Sequence, residues 1–150
     1  MKNLIQIAAV FIALSLSSTA FAKSCDIEID STDSMTFDKK ELAISSECTE
    51  VNLTLNHVGE FPKNVMGHNW VLTQTADMQE VVNAGGAAGL DNEYLPADQS
   101  KVIAATKIIG GGESTTITFS TSGLEKGGDY TFFCSFPGHW AIMQGKFIVN

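Results

Sequence analysis

The residues with the clearest potential chemistry lie near the C-terminus, in the segment FFCSFPGHWAIM at 132–143. One thiol, one imidazole and one thioether share this loop: Cys134, His139 and Met143. Cysteine and histidine are scarce here, since the chain has three of each. A buried core thiol would explain Cys134 alone, because unpaired cysteine is among the most buried residue types. With an imidazole and a thioether so near, the spacing favours three metal ligands on one loop.

A further candidate ligand lies upstream in MGHNW, residues 66–70, just before a strand-like run. A single histidine at the start of a strand is more often structural than a ligand, but only three histidines exist. His57 falls on the apolar face of an alternating segment, which predicts a histidine at the rim of the core. His68 and His139 therefore remain as the imidazole pair that would join Cys134.

Ligand softness indicates which metal this set would bind. Thiolate and thioether suit Cu(I), and imidazole suits both copper oxidation states. A trigonal His2Cys plane with a long, weak axial methionine is the electron-transfer copper site. Zinc would also bind, but a structural zinc site has four strong ligands and a thioether is a poor one. The set therefore favours copper.

The first 22 residues have the layout of a secretory signal peptide. Lys2 precedes an apolar run at 4–16, and small residues end the segment at Ala20-Phe21-Ala22. The run is shorter than the roughly 20 residues that span a bilayer, so a retained membrane anchor is the weaker alternative. We expect cleavage after Ala22 and an exported, soluble domain at 23–150, located in the periplasm.

Export has a consequence for the odd cysteine count, because exported proteins form disulfides. Cys25 and Cys48 are close in the sequence, and Cys134 is far from both. The favoured pair is Cys25–Cys48, which would stabilise the fold by roughly 3 kcal/mol. Cys134 is then left without a disulfide partner, and a metal would protect its thiolate from oxidation and exchange.

The charge of the chain disfavours two classes of partner. The net charge is −8, and loss of Lys2 with the signal peptide makes it −9. All nine basic residues are lysines, and the chain has no arginine. This charge therefore disfavours nucleic acid and anionic membrane surfaces as partners.

The elements that must position the candidate ligands are mainly strands. Apolar and polar residues alternate in CDIEID at 25–30 and VNLTLNH at 51–57, which predicts half-buried strands. Seven to eight such short runs in one domain predict an all-β, antiparallel sandwich of two sheets. Apolar residues at helical spacing, Met78, Val81 and Val82, predict one short inserted helix within 75–90.

Four segments together carry a family resemblance: PKNVMGHNWVL, ADMQ, GLDNEYL and FFCSFPGHWAIM. They resemble the azurins, the bacterial blue-copper cupredoxins, and the resemblance extends over essentially all of 23–150. It implies an eight-stranded Greek-key β-sandwich with one type 1 copper ion at one end. It also implies electron transfer between periplasmic redox proteins, with c-type cytochromes and nitrite reductase as candidate partners.

The resemblance assigns a role to each ligand position. His68, Cys134 and His139 would be strong equatorial ligands, the Met143 thioether a weak axial ligand, and the Gly67 carbonyl a second long axial contact.

Three further residues would line the copper site by resemblance. Asn69 would hydrogen-bond across to the ligand loop, and Phe136 and Pro137 would provide apolar cover. His139 would reach the surface through an apolar patch where transient partners dock, and a monomer would form such complexes. The residues expected in this patch are Val65, Met66, Pro137, Gly138, Trp140 and Ile142, with Phe61 as a further candidate.

Trp140 stands where azurins often carry a small polar residue. It is either a tolerated aromatic at the loop tip or an enlargement of the docking surface.

Two other functions remain as alternatives to an electron carrier. A periplasmic copper-binding or trafficking protein would lose and exchange its metal easily. A copper enzyme would need an open coordination position or a second cluster, and the sequence offers no spare histidines to build one.

Overall fold

The computed structural model describes residues 23–150, so the predicted signal peptide at 1–22 lies outside the described residues. No helix in 23–150 is long and apolar enough to cross a membrane. Two α-helices occur in this part of the chain, α1 (Lys63–Met66) and α2 (Met78–Ala88), with 3-10 turns at Thr75–Asp77 and Leu90–Asn92. Its nine strands are β1 (Ser24–Thr32), β2 (Thr36–Phe37), β3 (Glu41–Ile44), β4 (Glu50–His57), β5 (Val71–Gln74), β6 (Ala104–Ala105), β7 (Ser114–Ser120), β8 (Tyr130–Phe133) and β9 (Gln144–Val149).

The strands form two sheets, with strand orders β2-β1-β4-β7 and β3-β9-β8-β5-β6. The predicted two-sheet sandwich is confirmed, but both sheets are mixed, because β1 pairs with β4 and β3 with β9 in parallel. The expectation of purely antiparallel sheets was therefore wrong for these pairs. Alternation in a sequence records which face of a strand is buried, and it does not record the direction of the neighbouring strand. Residues 23–150 contain nine strands where the resemblance implied eight, because the paired two-residue strands β2 and β6 add to seven longer ones.

The core fills the space between the sheets, and β4 shows how the sequence builds it. Alternate residues of this strand are buried, and the last of them is His57, as its position on the apolar face predicted. Trp70 lies at the centre of the core, with its ring centroid 6.1 Å from the centroids of both Phe132 and Phe147. Because Trp70 follows His68 by two residues, this packing anchors the segment that carries the first candidate ligand.

The predicted inserted helix is present as α2, which follows a 3-10 turn at Thr75–Asp77. Its buried face presents Met78, Val81 and Val82, which form a second core cluster with Val71 and Phe133. The helix therefore packs against the sheet that leads into the ligand loop.

The cysteines are arranged as predicted. Cys25 and Cys48 form a disulfide, which joins the start of β1 to the segment before β4. Cys134 is free and fully buried.

Candidate metal centre

His68 is held by hydrogen bonds on its main chain and on its ring. Its backbone exchanges two hydrogen bonds with Ile109, of 3.0 and 2.9 Å. Its ring Nε2 lies 2.9 Å from the carbonyl oxygen of Thr32. A carbonyl can only accept, so Nε2 carries the proton and Nδ1 keeps a free lone pair. That lone pair is what a metal ligand requires.

Cys134 and His139 lie on one loop that begins where β8 ends. The backbone N–H of Cys134 donates to the carbonyl of Met143 at 3.0 Å, and the N–H of Met143 donates to the carbonyl of His139 at 2.8 Å. Gly138 has φ of +84°, a left-handed conformation that glycine adopts without steric cost. The loop therefore turns back on itself and places its histidine beside the cysteine.

Three buried donor atoms form a triangle at this place. The Sγ atom of Cys134 lies 3.7 Å from Nδ1 of His68 and 3.7 Å from Nδ1 of His139. The two Nδ1 atoms are 3.2 Å apart. Metal bonds of about 2.0 Å to nitrogen and about 2.3 Å to sulfur give a trigonal plane with edges of about 3.5 and 3.7 Å. The donor triangle thus fits one metal ion of this size.

The protonation states of the donors favour a cation that displaces one proton. Burial raises the pKa of the Cys134 thiol to about 12, although backbone N–H groups of Asn69 and Phe136 act in the opposite direction by hydrogen-bonding the sulfur. Burial lowers the pKa of His68 to about 4 and also lowers the pKa of His139. Both imidazoles are therefore neutral and ready to coordinate at pH 7. The thiol must lose its proton to do so.

The two predicted axial positions are close to this triangle along the chain. Met143 is fully buried and linked by its backbone to both ligands of the loop. Gly67 precedes His68, and a Cβ there would meet the carbonyl oxygen of Lys63 and the side chain of Ile108. The site has no space for a larger residue at this position. Axial ligation by Met143 and Gly67 remains a prediction.

Asn69 joins the two ligand-bearing segments. Its Nδ2 donates to Oγ of Ser135 at 2.8 Å, and its Oδ1 accepts the Ser135 N–H at 2.8 Å. The expected hydrogen bond to the ligand loop is therefore present. Because Asn69 follows His68 and Ser135 follows Cys134, these contacts couple the positions of two donors.

The ring of His139 lies against an aromatic side chain. The imidazole stacks on Phe136, with ring centroids 4.6 Å apart. In the described part of the chain, its Nε2 makes no hydrogen bond and is not among the buried unpaired polar atoms. His139 as a whole is only 3% exposed, so at most a narrow edge of the ring reaches solvent. Of the residues expected in the docking patch, Phe61, Val65, Pro137, Gly138 and Ile142 are exposed and Met66 is half-buried. That they form one patch around His139 remains a prediction.

Trp140 differs from the other members of this patch. It is half-buried and packs against the second core cluster, which includes Val81 and Val82 of α2. Part of its ring therefore belongs to the interior, and only the remainder is available to a partner. Neither sequence alternative included this contact with the second core cluster.

Two residues near the site were missed by the sequence reasoning. The carbonyl of Thr32 fixes the ring of His68, but a main-chain atom leaves no signal in residue type. Glu93 accepts hydrogen bonds from both sides of the site. It lies in GLDNEYL, a segment that contributed to the resemblance without any residue in it being assigned a role.

Comparison with known proteins gives a consistent result. A family model described as copper binding proteins, plastocyanin/azurin family, matches residues 23–150. An azurin of Bordetella pertussis is 54% identical over 129 residues, covering 86% of each chain. An azurin of Pseudomonas aeruginosa is 47% identical over 140 residues, covering 93% of this chain and 95% of the relative.

A solved structure is also similar. It is the azurin Az-iso2 from the obligate methylotroph Methylomonas sp. strain J, which matches with a TM-score of 0.81 and 40% identity. The match covers 84% of this chain and 98% of the other.

Proposed function

Because the chain belongs to the plastocyanin/azurin family and is a blue-copper electron-transfer protein, we propose that His68, Cys134 and His139 bind its copper ion. The Met143 thioether and the Gly67 carbonyl would complete the set as weaker ligands. The observation that carries this proposal is the buried triangle of two Nδ1 atoms and one Sγ atom, all within 4.8 Å of one another. Its donor types are those of a trigonal electron-transfer copper site.

The chain contributes donors whose positions are set by the fold. When bound, copper supplies a one-electron couple between Cu(I) and Cu(II). Hydrogen bonds fix the His68 ring on Thr32 and link Asn69 to Ser135. Donors held in this way rearrange little between two oxidation states, and little rearrangement permits fast electron transfer. Phe136 and Pro137 add apolar cover, and proline brings no N–H that would hydrogen-bond nearby.

Electrons leave and enter through the exposed edge of His139. The apolar patch around it, which comprises Val65, Met66, Pro137, Gly138, Trp140 and Ile142, docks other redox proteins in brief encounters. Exposed apolar patches of this kind mark such transient contacts. Partners of this class include c-type cytochromes and nitrite reductase, and the carrier acts as a monomer.

The setting of this activity is the periplasm. The signal peptide at 1–22 directs export and is removed, which leaves one domain at 23–150. The proposed role is that of a carrier and not an enzyme, because five donors around one ion would leave no open position for a substrate.

Visible absorption of the copper protein tests the ligand set. Metal-free protein given one equivalent of Cu(II) is expected to turn blue, with an intense thiolate-to-copper band. Cys134→Ser removes the thiolate and is expected to abolish that band, whereas Ser135→Ala, next to it, retains a band. A colourless copper complex of the wild type, or a band that survives in Cys134→Ser, would contradict the proposal.

The contribution of Trp140 to docking can be measured separately. Trp140→Ser removes the exposed part of the ring, so the rate of electron transfer to a c-type cytochrome is expected to fall. Trp140→Phe keeps an aromatic ring against the second core cluster and is the matched control for packing. An unchanged rate in Trp140→Ser would remove Trp140 from the patch.

A further inference from the structure

Glu93 is outside the proposed ligand set, yet it contacts both segments that carry the ligands. One carboxylate oxygen, Oε2, accepts the backbone N–H of Ile108 at 2.5 Å. Its main-chain carbonyl accepts Nδ2 of Asn69 at 3.1 Å and Oγ of Ser135 at 3.4 Å. A single residue thus satisfies donors from three separate stretches of chain.

The carboxylate acts on the His68 side of the site through Ile108. The next residue in the chain, Ile109, exchanges two backbone hydrogen bonds with His68. Ile108 is itself buried, and its side chain packs where a Cβ on Gly67 would stand. Losing the carboxylate would leave a buried N–H unpaired next to Ile109, the residue that bonds the backbone of His68, and such a group is costly.

The carbonyl acts on the Cys134 side through Asn69 and Ser135. These two side chains bond to each other and to Glu93, so the three residues form one closed network. Ser135 is the residue after Cys134, and Asn69 is the residue after His68. The network therefore relates the positions of two donor atoms on different segments.

The backbone at Glu93 indicates that surrounding structure holds it in place. Its φ is +57° and that of Tyr94 is +50°, in the left-handed region that residues with a Cβ rarely occupy. Helix α2 packs directly on this turn, because a Cβ on Gly85 would overlap the carbonyl of Tyr94. The inserted helix therefore leaves no space between Gly85 and this turn.

We propose that Glu93 is a positioning residue that sets the separation between the His68 segment and the Cys134 loop. Its hydrogen bonds connect the turn that lies against α2 to Ile108, to Asn69 and to Ser135 of the ligand loop. The proposal rests on the copper site proposed above, and it assigns to the carboxylate the task of keeping the donor triangle at metal-binding spacing.

Three variants test this role. Glu93→Ala removes the acceptor, Glu93→Gln keeps an amide oxygen for Ile108, and Asp91→Ala changes a carboxylate in the same turn that makes no side-chain hydrogen bond in the described structure. Zn(II) affinity of the metal-free protein is expected to fall by about 10–100-fold in Glu93→Ala, as for other residues that orient ligands. Glu93→Gln is expected to recover most of the affinity, and Asp91→Ala is expected to match the wild type.

Two spectroscopic readouts separate positioning from general destabilisation. In the metal-free protein, hydrogen exchange of the Ile108 amide is expected to accelerate in Glu93→Ala and not in Asp91→Ala. In the copper protein, the thiolate-to-copper band of Glu93→Ala is expected to change in wavelength and intensity, and Glu93→Gln is expected to restore it. If Glu93→Ala does not fold, Glu93→Gly serves instead, because glycine adopts this φ without strain.

The outcomes distinguish this proposal from the proposed function. A wild-type protein that turns blue, together with a Glu93→Ala variant of unchanged band and Zn(II) affinity, would overturn the positioning role alone. A Glu93→Gln variant that loses as much Zn(II) affinity as Glu93→Ala would also overturn it, since a side-chain oxygen that accepts the Ile108 N–H would then make no difference. A wild-type protein that fails to turn blue would overturn the copper site and this inference with it.

Discussion

At the scale of single residues, burial sets the protonation of each donor before any metal arrives. The pKa of the Cys134 thiol is raised to about 12, whereas the imidazoles of His68 and His139 have lowered pKa values. At neutral pH the metal-free site therefore holds one proton on sulfur and two neutral rings. Two measurable consequences follow from this difference.

Metal binding is expected to release protons from sulfur only. Near pH 7.5, Zn(II) binding to the metal-free protein should release about one proton, because thiolate is the ligand and the imidazoles are already neutral. Calorimetry in buffers of different ionisation enthalpy measures this number. Cys134→Ser should release close to none. Release of two or more protons by the wild type would contradict neutral imidazoles.

Stability of the metal-free protein is expected to decline as the pH falls from about 6.5 to about 4. Unfolded histidine binds a proton near pH 6.5, whereas folded His68 does so only near pH 4. Between these values the unfolded state binds more protons, so acid favours unfolding. Urea unfolding across this range measures the effect, and His68→Gln should show a shallower decline. An equal decline of the free energy of unfolding in the wild type and in His68→Gln would contradict the lowered pKa of His68.

At the scale of elements, α2 lies against the turn that carries Glu93. Gly85 contacts the Tyr94 carbonyl so closely that an added Cβ would overlap it, and nothing lies within 4 Å of a Cβ built on neighbouring Gly86. Adjacent glycines of one helix thus have opposite packing environments. This contrast provides a matched pair of substitutions.

Gly85→Ala is expected to destabilise the protein by about 1–3 kcal/mol, because backbone must shift to admit the methyl group. Gly86→Ala should instead stabilise it by about 0.5–1 kcal/mol, since alanine is the better helix former. Chemical unfolding measures both values. Two stabilising substitutions would show that α2 does not pack on the turn as described.

Elements differ in how well their sequences predict them. The half-buried strands β1 and β4 and the helix α2 follow from hydrophobic spacing alone. The parallel pairing of β1 with β4 does not, because alternation carries no information on direction. Ligand types in the loop predicted the site, whereas the Thr32 carbonyl and Glu93 could not be assigned roles. Thr32 acts through its main chain, and Glu93 acts through contacts between segments that are distant in sequence.

At the scale of the whole molecule, the disulfide and the donor triangle are separated along β1. Cys25 lies near the start of this strand, and Thr32, which holds the His68 ring, ends it. At about 3.3 Å per residue, the strand puts these positions about 20 Å apart. Stability and metal chemistry should therefore respond separately to changes at the disulfide.

Replacing both Cys25 and Cys48 by serine is expected to lower the free energy of unfolding by about 3 kcal/mol, through the loop they close. The thiolate-to-copper band should keep its position, because the change is remote from Cys134. Urea unfolding and visible spectroscopy on the same variant measure the two properties. A shifted band would contradict this separation.

The central claim is that one copper ion is bound by His68, Cys134 and His139. A crystal structure of the copper-loaded protein, with anomalous diffraction at the copper edge, tests it most directly. The expected result is one strong peak inside the triangle, bonded to both Nδ1 atoms and to Sγ. A peak outside the triangle, or one that lacks a bond to any of these three atoms, would contradict the claim.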